Sequence, residues 1–347
     1  MLRPVLERCS VSAKIKGLAL LLCILGIGLA AERRADDAPR IPQPAGFPPR
    51  VYQGTRGAND SALNMLGRAL FNDPTLSLDS STSCETCHQS FAAFAHIDHA
   101  VSHGVQGRIG RRNVPSLQNL AWQKSFMWDG AITNLDMQSL SPLTGHEEMS
   151  NDLDTILARV ASSAEYLSMM RAAYGSDSVS IPRVLRALGR FVAGLVSADS
   201  RYDRYMAGTD TLADNEQRGL ALFRRRCASC HTEPLFTNGD FASNGLAPST
   251  ITPDSGRYEV SRVRDDLFRF KVPTLRNITR THPYMHDGRF KRLRDVLAHY
   301  ANPASLSDHT DPRVSSIGPL TDTERKDIIA FLMTLESGYR LQVTGDR

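Results

Sequence analysis

Two six-residue stretches decide how this chain is read: Ser83-Cys84-Glu85-Thr86-Cys87-His88 and Arg226-Cys227-Ala228-Ser229-Cys230-His231. Each contains C-x-x-C-H, the attachment pattern of c-type haem. The spacing has a physical reason. Two thiols one helical turn apart reach the two vinyl groups on one porphyrin edge, and the next side chain turns under the ring to offer its imidazole to iron. Cys84, Cys87, Cys227 and Cys230 are therefore the expected attachment points of two covalently bound haem c groups, with His88 and His231 as proximal iron ligands. Zinc and dithiol chemistry are the competing readings. Structural zinc takes four protein ligands, whereas each motif supplies three. A dithiol oxidoreductase accounts for the cysteines but not for a histidine after both pairs.

Working outward, the other cysteines, Cys9 and Cys23, lie in an N-terminal segment, so none is left for a disulfide framework. Residues 1–16 hold Arg3, Arg8, Lys14 and Lys16, residues 17–31 are an unbroken apolar run, and Glu32-Arg33-Arg34 closes it. Such a run is short for a spanning helix and right for a secretory signal, with Gly28 to Ala31 supplying small residues for cleavage. Residues 1–31 are thus expected to be a signal peptide and the rest of the chain periplasmic. An uncleaved anchor is the alternative, and the one case in which a membrane becomes a partner; Leu22 before Cys23 makes a poor lipoprotein signal. Residues 32–58 are rich in Pro and Gly and read as a lead-in.

The chain has 347 residues, 41% of them hydrophobic, which supports two domains with real cores. Its net charge is +4, and the basic N-terminal segment contributes three of those charges, so the remainder is nearly neutral. That excludes the electrostatic footprint of a nucleic-acid binder. Apolar residues recur at helical spacing over 61–71, 153–161, 181–196 and 321–335, the last opening with a Thr321/Glu324 capping box. No run alternates with period two. The expected fold class is mostly α with little β: two cytochrome c-like haem domains, 59–205 and 206–347, with long loops. The irregular stretches 72–130 and 232–285 need something to pack against, and a large apolar prosthetic group supplies it.

The chain resembles the bacterial di-haem cytochrome c peroxidase and MauG family over about residues 62–340. The carrying segments are LGRALFNDPTLS (66–77), SCETCH (83–88), GRIGRRNVPSL (107–117), FMWDG (126–130), Gln138 with Pro142 and Glu148-Met149, RCASCH (226–231) and KVPTLRNITRTHPYMHDGRF (271–290). The resemblance implies that the N-terminal haem reacts with hydrogen peroxide beneath Glu148 and Gln138. Glu148 matches the carboxylate that moves a proton between the peroxide oxygens. On its own residues it reads as a solvated loop acid beside Glu147. Trp128 matches the tryptophan that relays electrons between the haems; as bare sequence it is a large core residue. Asn113, Thr281 and Pro283 match the family's calcium site, built from one amide side chain and two backbone carbonyls.

Two departures choose the branch. Counting back from Asn113 puts Val105 where many cytochrome c peroxidases carry a histidine that closes the first haem, so that haem is expected to stand open; the alternative is ligation by His103, His99 or His96. At the second haem, Tyr300 stands where peroxidases place a methionine, and MauG-like members have tyrosine there. A phenolate stabilises ferric and higher iron states, whereas a thioether raises the potential. His299 is the competing ligand.

The expected function is that of a periplasmic MauG-type peroxidase, which uses peroxide to form high-valent iron and oxidises a partner protein by long-range electron transfer. The alternatives are a cytochrome c peroxidase fed by a small electron-donor protein, and a non-enzymatic di-haem electron carrier. The MauG prototype acts through a surface tryptophan shortly before its second haem motif. Here that stretch is Phe223-Arg224-Arg225-Arg226, a run that reads as a dock for an acidic partner or as a solvated helix end.

Overall fold

Leucines at 63, 66 and 70 fall on one face of α1 (Asp60–Asn72), and that face is completely buried. Asn59 caps the helix by accepting from Ala62 N–H, and the chain leaves it at Asp73, ahead of Pro74. The computed structural model describes residues 41–54, 57–249 and 253–337. The expected signal segment, the first part of the lead-in and residues 338–347 lie outside the described residues.

Helix α1 packs on α4 (Ile181–Ala193), where Pro182 occupies the first turn and Val184, Leu185, Leu188, Phe191 and Val192 form a buried stripe. The approach is close because Gly67 has no side chain: a Cβ there would stand 1.9 Å from Ala187 O. Helices α2 (Leu153–Ser162) and α3 (Ala164–Tyr174) close this first core, capped by Asp152 and Ser163 respectively. Each fully buried leucine contributes about 1.5–3 kcal/mol, so the α1–α4 stripe is a major source of stability. The described part of the lead-in packs onto this core. Ile41 and Phe47 are buried, Phe47 sits edge-on to Trp122 at 5.2 Å, and Val51 and Tyr52 both donate backbone N–H to Ala121 O.

A second core gathers α5 (Arg201–Met206), α6 (Asp214–Arg226), α7 (Leu293–Ala301) and α8 (Asp322–Met333). Helix α8 opens with the Thr321/Glu324 capping box. It crosses α6 at Gly219, whose absent Cβ would stand 1.9 Å from Asp327 O. Strand structure is confined, among the described residues, to an antiparallel ladder of β1 (Phe241–Ala242) with β2 (Phe270–Lys271) and isolated bridges. No helix among the described residues is long and apolar enough to cross a membrane.

The two cores repeat one plan. Gly67 and Gly219 make the same helix crossing, each with a phenylalanine, Phe191 or Phe331, beside the contact. Asn119 and Asn277 share a left-handed conformation (φ 59° and 56°), as do Met127 and Met285 (φ 67° and 76°), each methionine opening an M-x-D-G turn. The halves meet in a buried seam where Asn277 Nδ2 donates to Gln118 Oε1 at 2.6 Å and to Ser197 Oγ at 3.0 Å, while Asn119 Nδ2 braces the first-half side by donating to Ser197 O at 2.9 Å.

Behind the second core, Arg276 is wholly buried between the rings of Phe47 and Phe236 and donates twice to Asp203 at 2.7 and 2.8 Å. Removing one partner of such a buried pair strands a charge.

Candidate haem sites

The first motif is a single helical turn, Cys84–Cys87, stapled by a reciprocal cap between Ser83 and Thr86. His88 leaves that turn with its backbone N–H on Cys84 O, and its ring Nδ1–H donates to Phe94 O at 2.8 Å. Phe94 adopts φ 59°, which turns that carbonyl toward the ring. The second motif repeats the device. His231 Nδ1–H is shared between Phe236 O and Pro273 O, both at 3.2 Å, and Phe236 has φ 54°. In both rings the back hydrogen bond fixes the tautomer and leaves Nε2 as the lone-pair nitrogen. Burial holds both imidazoles down to about 4, against the opposing pull of the carbonyls, so they stay neutral as a metal ligand must.

All four cysteines and both histidines line one cavity of about 410 Å³ that runs between the two halves. Burial pushes the Cys84 and Cys227 thiols up to about 12, the opposite of an activated redox dithiol. No group of three or more His, Cys, Asp or Glu suited to a metal ion occurs among the described residues. A neutral, back-bonded imidazole beside a thiol pair, repeated on an enclosed wall, fits haem c at both positions.

Above the first motif, Gln138 and Glu148 line the same cavity. Glu148 is pinned through its backbone: its N–H donates to Gly145 O at 3.0 Å and its carbonyl accepts from Val105 N–H at 2.9 Å. Its carboxyl is raised by burial, with Glu147 adding to the effect. Gln138 Nε2 reaches Met127 Sδ at 3.8 Å. Val105 is fully buried, whereas His103 lines the cavity with its ring tilted against that of His99, the centroids 4.1 Å apart. His96 and His99 do not line it.

Trp128 lines the cavity between the motifs and is held at three points. Its indole N–H donates to Asn113 O at 2.8 Å, its carbonyl accepts from Lys271 N–H at 2.7 Å, and the neighbouring Asp129 meets Arg112 at 2.6 Å. Arg112 also grips Asp254 with Nε and Nη2, at 2.6 and 2.9 Å, tying the Trp128 turn to the second half. Asn113, Thr281 and Pro283 all line the cavity, and Asn113 Nδ2 donates to Ala100 O at 2.9 Å. On the second side Tyr300 lines the cavity and burial raises its phenol. His299 turns away: Nε2 bonds Asn244 O at 2.9 Å and Nδ1 bonds Ser305 Oγ at 3.2 Å. Of the Arg224–Arg226 run, Arg224 is paired with Glu233 and Arg226 donates to Ile317 O.

Sequence reasoning missed Lys271 and Arg112. Burial holds Lys271 down to about 8 against the pull of Asp129, and its Nζ donates to Ser125 O at 2.8 Å. The shared M-x-D-G of 127–130 and 285–288 was the legible signal for this interface.

A sequence profile described as di-haem cytochrome c peroxidase matches residues 61–211, and one described as cytochrome c matches 216–336. The chain is 34% identical over 281 residues to the methylamine utilization protein MauG of Methylorubrum extorquens, covering 78% of this chain and 77% of that protein. It is 31% identical to the cytochrome c551 peroxidase of Nitrosomonas europaea, with 78% of each covered. Among solved structures, a MauG-like protein associated with microbial copper homeostasis superposes with a TM-score of 0.73 at 30% identity, over 87% of this chain and 95% of that one.

Proposed function

This chain belongs to the di-haem cytochrome c peroxidase family and is an oxidoreductase acting on peroxide, and from that premise we propose that it works in the MauG manner. It carries both oxidising equivalents of peroxide across its two halves and spends them on a periplasmic partner protein. The observation that carries this reading is the second site: Tyr300 lines the cavity while both ring nitrogens of His299 are engaged elsewhere.

His88 and His231 would hold the two irons, with the cysteine pairs 84/87 and 227/230 as covalent attachments and Tyr300 as a further ligand at the second site. When bound, the haems supply the one-electron steps into which the two-electron reduction of peroxide is divided. Glu148 takes the proton from one peroxide oxygen and returns it to the departing one, a shuttle that burial assists by keeping its acid and base forms closer in energy. Gln138 donates a hydrogen bond to the same oxygens. Trp128, pinned by Asn113, Lys271 and the Asp129–Arg112 pair, conveys electrons between the halves. Asn113, Thr281 and Pro283 would hold a calcium ion through oxygen donors, and treating the protein with a chelator is expected to slow electron exchange between the halves. The peroxidatic domain spans 59–205 and the electron-transfer domain 206–347.

Phenolate coordination is tested by resonance Raman spectroscopy of the ferric protein, where Tyr300→Phe should abolish the tyrosinate modes. The partner is tested by mass analysis of a co-expressed neighbouring protein before and after peroxide. A second reading, a peroxidase fed by a small cytochrome or cupredoxin, draws on His103 at the cavity wall. Steady turnover with reduced cytochrome c only after half-reduction would favour it.

A further inference from the structure

Tyr202 is 2% exposed, and its hydroxyl donates to Glu233 Oε2 at 2.7 Å. One-electron oxidation of a phenol makes its proton strongly acidic, so a buried tyrosine is readily oxidised only where a base stands within hydrogen-bond reach. Glu233 is held as a carboxylate by Arg224, which grips both of its oxygens at 2.9 Å. The ring of Tyr202 lies 5.0 Å from Phe236 and 5.9 Å from Phe331. Those two rings lie 5.6 and 5.1 Å from Phe223, which forms part of the cavity wall. Phe236 also supplies a carbonyl that orients His231. Tyr202 therefore stands one aromatic layer behind the second haem site. One turn further along α5, exposed Met206 brings its sulfur to 4.0 Å from Arg224 Nη2, which marks the surface end of the path.

We propose that Tyr202 and Glu233 form a proton-coupled relay through which one oxidising equivalent leaves the second haem site toward the surface beside Met206. The step balances as follows. Tyr202 gives one electron to the oxidised haem site, its O–H bond breaks, and the proton crosses the hydrogen bond to Glu233 Oε2, leaving a neutral phenoxyl radical. An electron from a donor at the surface then restores the phenol as Glu233 returns the proton. Peroxide is the oxidant, and one of the two electrons that take it to water passes through Tyr202. This rests on the reading that equivalents reach the second site. The halves differ here, for Tyr52 and Tyr166 also meet carboxylates, Asp136 and Asp73, but pack on the first core.

The test mixes holoenzyme with hydrogen peroxide in the absence of any partner, freezes the mixture within milliseconds and records electron paramagnetic resonance. The expected result is an organic radical whose hyperfine splitting narrows when the protein is grown on ring-deuterated tyrosine. The signal should vanish in Tyr202→Phe and in Glu233→Gln, and persist in Tyr52→Phe and Tyr166→Phe. Oxygen addition to Met206, followed by mass spectrometry, should fall in Tyr202→Phe. A wild-type ferric spectrum that responds to peroxide without a tyrosine-derived radical overturns the relay and leaves the peroxidase reading standing. Persistence of the radical in Tyr202→Phe, or in Glu233→Gln if the first variant fails to load haem, also overturns it. No spectral response to peroxide at all overturns both.

Discussion

Replacing Glu148 with glutamine isolates the proton shuttle with little change of shape. The backbone of residue 148 is fixed by Gly145 O and Val105 N–H, so the amide occupies the place of the carboxyl. General acid–base catalysis by one positioned group contributes about 10²–10⁴-fold, or roughly 3–5.5 kcal/mol of barrier, and the peroxide rate constant should fall by that factor. The pH profile adds a second readout. Because burial raises the Glu148 carboxyl, the acid limb of the wild-type rate should lie above the ordinary carboxylate value of about 4.3 and disappear in Glu148→Gln. Stability should respond with the opposite sense. A raised folded-state value means that the folded protein holds the proton more tightly, so this contribution is present below about pH 4.3 and is lost as pH rises through the folded value. At neutral pH the buried charge therefore costs stability, and the glutamine variant should melt no lower than wild type. Stopped-flow bleaching of the ferric spectrum from pH 4 to 8, with melting curves beside it, measures all three. A loss of less than about tenfold with the acid limb unmoved would refute the assignment.

Gly219→Ala drives a Cβ into Asp327 O at the α6–α8 crossing and should cost about 1–3 kcal/mol, or more if the helices cannot separate, read as a lowered Tm. Arg276→Met leaves Asp203 buried without its partner and should destabilise by about 3–5 kcal/mol in denaturant titrations, with part of the loss recovered in the Arg276→Met/Asp203→Asn double variant. Trp128→Phe keeps a ring but loses the indole N–H on Asn113 O; the first haem should still react with peroxide while oxidation of the second slows. Tyr300→Met should raise the reduction potential of one haem and not the other, as followed by potentiometric titration.

The chemistry was legible because covalent attachment demands a fixed spacing, and C-x-x-C-H cannot drift without losing the haem. The helices with leucine stripes were legible for the same reason that they are buried, and the Thr321/Glu324 box marked the start of α8 within one residue. Of helix α6 only the end showed, as the Arg224–Arg226 run read as a solvated helix end, because DNEQRGLALFRRR carries charges through most of its turns and buries chiefly Gly219, Leu220, Leu222 and Phe223. Helix α3 buries little beyond Met170 and Ala173, too sparse a pattern to read. Arg276 looks like a surface residue in isolation; only the meeting of Phe47 from the lead-in, Phe236 from the haem loop and Asp203 from α5 makes a home for its charge. The cavity contacts of Lys271 and Arg112 escaped for the same reason, since each is defined by partners far away in sequence.

The repeated plan has a practical reach. Gly67 and Gly219 meet a facing carbonyl at the same 1.9 Å, yet one helix pair belongs to the half that carries His88 and the other to the half that carries His231 and Tyr300. Alanine at each position applies the same insult to two versions of one scaffold. Any disparity in haem loading or unfolding then measures how far selection has let the twins diverge, with the molecule serving as its own yardstick.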